Sequence, residues 1–184
     1  MRQCPQVNHH AANEPGMSEG ESAFWQFSLR FYGQPDVATT CLALQDQHGI
    51  DVNLLFFIIF LAVNERQVTA EDIRRIDACS NVWRTRVVQP LRAIRRDLKG
   101  GIAPVDTTAS EALRSALKRD ELQAERLQQE ILEREFPPGS IGSHATARAA
   151  ADANIAAYGE IVGVLPATPV NTLLAALHNA FSQK

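Results

Sequence analysis

Several familiar protein classes are excluded by what the sequence does not contain. It has three cysteines, Cys4, Cys41 and Cys79, an odd number with no CxxC pair. That is no disulfide framework and matches no zinc-ligand spacing. Cys41 and Cys79 stand among apolar residues, where a free thiol is expected to act as a small buried hydrophobe in a reducing, cytoplasmic compartment. There is no glycine-rich phosphate loop, HExxH, GxSxG or dinucleotide fingerprint. The histidines (His9, His10, His48, His144 and His178) never fall in metal spacing with a second ligand. No metal and no cofactor is expected, and the missing motifs weigh against an enzyme. Charge of one sign is also missing: 18 Lys and Arg against 21 Asp and Glu give a formal net charge of -3. A global basic field for nucleic acid is therefore absent. The longest apolar run, Leu54 to Val63, is 10 residues, short of the roughly 20 that span a bilayer. A helix of that length, apolar on all sides, belongs at the centre of a soluble bundle. Peripheral membrane association through it is the lesser alternative.

What is present reads as helix. Residues 1–21 have scattered prolines and glycines and no apolar run, which predicts a disordered leader; Met17 is an alternative start. Ser22 is a candidate N-cap for AFWQFSLRFY, closed by Gly33. Pro35 fits the first turn of a second helix that ends at Gly49, and Asp51 caps the central apolar helix. Thr69 with Glu71 and Asp72 opens a helix of about thirty residues. Its apolar stripe runs through Ile73, Ile76, Cys79, Trp83, Val87, Leu91, Ile94 and Leu98, and Pro90 predicts a kink near Arg86 to Gln89. After a linker at 101–109, residues 110–136 form a charged amphipathic helix. Its narrow stripe is Leu113, Leu117, Leu122 (or Ala124), Leu127, Ile131 and Leu132. Residues 137–184 read as short helices packing on the same domain. No strand and no repeat is evident. The fold class is all-α, a single-domain helical bundle of six or seven helices with a hydrophobic core at 22–100.

Certain strings resemble a known family. They are Phe24-Trp25 and Tyr32, Cys41-Leu42-x-Leu44-Gln45-Asp46, and Gly49-x-Asp51-Val52-Asn53-Leu54-Leu55. Trp83-Arg84 and Pro90-Leu91-Arg92 complete the set. The composite, over Ser22 to Lys99, resembles domain-of-unknown-function family 2390, a family of uncharacterised proteobacterial proteins. The resemblance implies a bacterial, cytoplasmic, helical protein and no established activity.

Two constellations are candidates for function. Arg84, Arg92, Arg95, Arg96 and Lys99 crowd one segment, and the last four follow i, i+3, i+4, i+7 on one helical face. Such a face suits an acidic protein partner or a phosphate-bearing one, or else is neutralised by the acids of 110–136. RNA is the weaker partner, because no aromatic interleaves the run from Arg86 on. The leading reading is thus a non-enzymatic interaction or regulatory protein, with homodimer pairing through 110–136 as a further option. The alternative is a small-molecule pocket or enzyme built from Trp25, Tyr32, Gln45, Asp46, Asn53 and Trp83 with Arg84. Asn53 stands out there, because a polar residue opening a buried helix must find a hydrogen-bond partner.

Overall fold

The computed structural model describes residues 22–163 and 165–181. The expected leader 1–21, with Cys4, His9 and His10, lies outside them. Ser22 caps α1 (Ala23–Tyr32), its Oγ accepting the Trp25 N–H at 3.0 Å. Helix α2 (Val37–His48) starts after Asp36, so Pro35 lies before the helix instead of in its first turn. Gly49 ends α2 in the left-handed region at φ 65°, where a side chain would be strained. Asp51 then caps α3 (Val52–Val63) through Oδ1, which accepts the N–H groups of Asn53 and Leu54 at 2.9 and 3.4 Å. Every residue from Asn53 to Ala62 is buried, as a helix apolar all round requires. Against it α1 sets Phe24 edge-on to Phe57 and Phe31 tilted against Phe56, with ring centroids 5.0 and 5.1 Å apart.

A reciprocal Thr69–Asp72 capping box opens α4 (Ala70–Trp83). The rod continues through a π turn at Arg84–Val88 into α5 (Gln89–Asp97). Pro90 lacks the N–H that an α-helix needs there, and the chain absorbs the loss in a wider turn closed by the Gln89 N–H on the Arg84 carbonyl. The helix is disturbed where the sequence placed a kink or break, but the consequence for register was not foreseen. A π turn inserts one residue, so the buried stripe runs Ile73, Ile76, Ser80 and then Val88, one position beyond the expected Val87. Cys79, expected buried, is exposed. Beyond the turn Ile94 faces outward, α5 buries no residue, and Arg92 and Arg95 turn inward.

Helix α6 (Thr107–Glu135), capped by Asp106, begins three residues earlier than Ser110. Its face against the bundle corrects the leucine stripe. The buried residues are Ser110, Glu121, Ala124, Gln128, Gln129 and Leu132, whereas Leu113, Leu122 and Leu127 are exposed. The elements it covers present Asp51, Asn53, Ser80, Arg92 and Arg95, so its inward residues are those that can bond them.

Helix α7 (Ala147–Val162) packs along α3, and α8 (Ala167–Phe181) packs on α2. Buried Asn154 on α7 accepts the Val68 N–H at 2.8 Å and donates to the Ile58 and Arg66 carbonyls at 3.0 Å each. A two-residue antiparallel pair, Arg66–Gln67 (β1) with Ser143–His144 (β2), was not evident in the sequence. Gly142 beside it has φ 71°, and a Cβ there would collide with the Gln67 carbonyl. With α4, the π turn and α5 counted as one rod, the described residues form seven helical rods, of which α3 is the buried one at the centre. The protein is an all-α single-domain bundle. No helix among the described residues is long and apolar enough to cross a membrane.

Candidate functional site

The five cations of the expected basic face divide among different partners, with Arg92 and Arg95 sharing one. Arg84, largely buried, bonds Asp51 at 2.8 Å and also Asp77, and its other nitrogen bonds Asn81 at 2.7 Å. Although burial opposes its charge, the two carboxylates raise its pKa further. Arg92 donates to Glu121 at 2.8 Å and to Glu125, and Arg95 to Glu121. Arg96 pairs with Asp46 on the surface. Lys99 is exposed. For Arg92 and Arg95 the acidic complement comes from this chain's own α6, the alternative to an outside partner that the sequence also offered, and α5 with α6 forms an internal ionic seam. Burial alone would raise the Glu121 carboxyl, but the bonds from Arg95 and Arg92 hold it below the usual range. Glu125 goes the other way: burial dominates and lifts its pKa.

Beneath this seam runs a file of side-chain hydrogen bonds. Gln128 Nε2 donates to Asp51 Oδ2 at 2.9 Å, Asn53 Nδ2 to Gln128 Oε1 at 3.0 Å, and Gln129 Nε2 to Asn53 Oδ1 at 2.8 Å. Asn53 thus finds its partners on α6. The file crosses the bundle between two hollows. One, about 370 Å³, is lined by Asp51, Asp77, Arg84, Gln128 and Tyr158. The Arg84 ion pairs with Asp51 and Asp77 line it, and burial together with Asp51 and Asp77 pushes the Tyr158 phenol up.

The other, about 450 Å³, opens between α1, α2, α3, α5 and α6, and Arg92, Arg95, Glu121 and Glu125 of the ionic seam form part of its lining. Of the expected pocket residues it gathers Trp25, Tyr32, Gln45 and Asn53. Asp46 and Trp83 are elsewhere: Asp46 holds Arg96, and Trp83 donates its indole N–H to the Ala124 carbonyl at 2.9 Å. Phe56, Val52 and Cys41 add apolar wall, Lys118 stands at the edge, and Ser28 and Gln129 line it as well. Burial raises the Tyr32 phenol, and Cys41 and Glu125 nearby add to the effect. Burial also pushes the Cys41 thiol up to about 12, so it is no nucleophile. Among the described residues no group of His, Cys, Asp and Glu could hold a metal ion.

Gln128, Gln129, Glu121 and Ser28 were not singled out in the sequence. The signal for the first two was Asn53 itself, whose need for a partner points to amides on an inward helix face.

Fold and cleft together define the class, a helical bundle with an aromatic-walled hollow between its helices. The chain belongs to domain-of-unknown-function family 2390, described as "Protein of unknown function", whose model matches residues 23–132. No curated protein and no solved structure matches it. Every residue lining the larger hollow falls inside that span, whereas the smaller one also needs Tyr158, Ile161 and Val162 of α7.

Proposed function

We propose that this chain is a small-molecule-binding protein whose site is the larger cleft, taking a compact, mostly apolar or aromatic ligand. The observation that carries this reading is at the mouth. Leu29, Tyr32, Leu42 and Leu122, exposed by 49%, 41%, 50% and 51%, all rim the same opening. Single exposed leucines need no explanation, but four large apolar side chains around one hollow offer an apolar ligand area to cover. Trp25 and Phe56 in the walls with a few amides inside are the usual make-up of such a site.

The interaction reading asks more of the molecule. An acidic protein or an RNA at Arg84, Arg92 and Arg95 would have to displace Asp51, Asp77, Glu121 and Glu125 from bonds already made. A homodimer through α6 lacks a continuous seam. Leu113 and Leu122 are nine residues apart, about two and a half turns, which puts them on opposite sides of the helix.

The test is a fluorescence titration of the full chain with 1-anilinonaphthalene-8-sulfonate, an aromatic probe that brightens in apolar surroundings. Saturable emission is expected, lost in the Leu42→Lys, Leu122→Glu double variant at unchanged helical content. A weak, non-saturating rise, or equal binding by the double variant, contradicts the proposal.

A further inference from the structure

The amide file has a direction. Asp51 receives the Arg84 guanidinium, the Gln128 amide and two helix N–H groups, so it acts there only as an acceptor. Gln128 must turn its NH2 toward Asp51 and its carbonyl toward Asn53. Asn53 is then forced the same way, and Gln129 after it. A one-way file that starts on an acceptor must end on one. Its last atom is Gln129 Oε1, which is buried and has no hydrogen-bond partner among the described residues. Unpaired buried carbonyls are uncommon in folded proteins, and each calls for a reason.

The place of this atom supplies the reason. Gln129 lines the larger cleft, and so does Ser28 on the facing α1, whose buried hydroxyl also lacks a partner among the described residues. Two polar orphans on opposing helices therefore line one hollow, whose apolar walls and leucine rim face the charged seam of Arg92, Arg95, Glu121 and Glu125. Flipping the Gln129 amide would not cure the defect, because its carbonyl would then face the Asn53 carbonyl.

We propose that Gln129 Oε1 is the specificity-determining acceptor of the cleft. The ligand is then an apolar ring molecule that carries an N–H or O–H donor at its buried end, with Ser28 as the secondary contact. This inference rests on the cleft reading above and deepens it. Neither orphan atom touches solvent, so the wall side chains that cover Gln129 Oε1 must move for the donor to reach it.

The experiment compares indole with indene, rings of nearly the same shape of which only indole has an N–H. Both are titrated into the full chain and followed by 1H–15N NMR. Indole is expected to bind at least about tenfold more tightly, with the Gln129 side-chain amide signals moving. In Gln129→Met the preference should fall to within about twofold while indene binding is kept. Equal affinity of the two rings for the wild-type chain overturns the role of Gln129 and leaves the cleft reading standing; that comparison needs no variant to fold. A preference for indole that survives Gln129→Met overturns it as well. If neither ring binds, the inference falls, and if the naphthalene probe also fails to saturate, the cleft reading falls with it.

Discussion

Gln128 bonds Asp51 at 2.9 Å through its amide nitrogen and receives Asn53 at 3.0 Å through its oxygen. One side chain of α6 thereby ties the cap of α3 to the first polar residue within it. Gln128 Nε2 also lies 3.5 Å from Ser80 Oγ of α4, so three helices meet at a residue with no exposed surface.

That junction predicts strong coupling. Gln128→Leu and Asn53→Leu should each cost about 2 kcal/mol, because each leaves a buried partner unpaired. The double variant should cost at least about 1 kcal/mol less than the sum. Urea denaturation of the four proteins checks this, and strict additivity would show that the two side chains do not act together.

Asp51 should be the most sensitive polar position in the bundle. Asp51→Ala removes the α3 cap, one carboxylate of Arg84 and the acceptor of Gln128 together. A loss of about 3 kcal/mol or more is expected. Asp46→Ala, which frees only the surface partner of Arg96, should cost less than about 0.5 kcal/mol.

The two glutamates of the ionic seam predict opposite pH behaviour. Folding lowers the pKa of Glu121, so its contribution is present above the ordinary glutamate value of about 4.5. It is lost as the pH falls through the lower folded value. Folding raises the pKa of Glu125, so that group opposes folding when ionised and the penalty fades as the pH falls toward 4.5. At pH 7 Glu121→Gln should cost about 2 kcal/mol and flatten the acid limb of the stability curve. Glu125→Gln should be near neutral. Melting curves between pH 3 and 8 distinguish them.

The thiols should separate by reactivity. Cys79 is exposed, whereas Cys41 is buried with its thiol raised to about 12. At pH 8 a maleimide followed by peptide mapping should label Cys79 at least about tenfold faster than Cys41.

How far the sequence reached follows from the same residues. The apolar pattern located α1, α3 and the capped start of α4, and Pro90 located the disturbance in the long rod. Periodicity could not say that the disturbance would be a π turn, which adds a residue and rotates everything after it. Counting straight through puts Val87 and Ile94 inside and leaves the arginines out, whereas Cys79 precedes the turn and its exposure does not come from the inserted residue. With one residue inserted, Val88 is buried and Arg92 and Arg95 face Glu121. The polar inward face of α6 was hidden for a related reason: a search for apolar stripes finds Leu113 and Leu122 and passes over Gln128 and Gln129. In the cleft, Trp25, Tyr32, Gln45 and Asn53 were legible as types that line pockets. Asp46 and Trp83 have those chemistries too, but are used to bond Arg96 and the α6 backbone.

The two tryptophans give the most direct measurement of the cleft reading. Trp25 lines the larger cleft and Trp83 does not, so the two indole N–H signals in a 1H–15N spectrum are an internal reporter and control. On titration with the naphthalene probe the account predicts a saturable shift of the Trp25 signal while that of Trp83 stays in place. Shifts of equal size at both, or at neither, would contradict it.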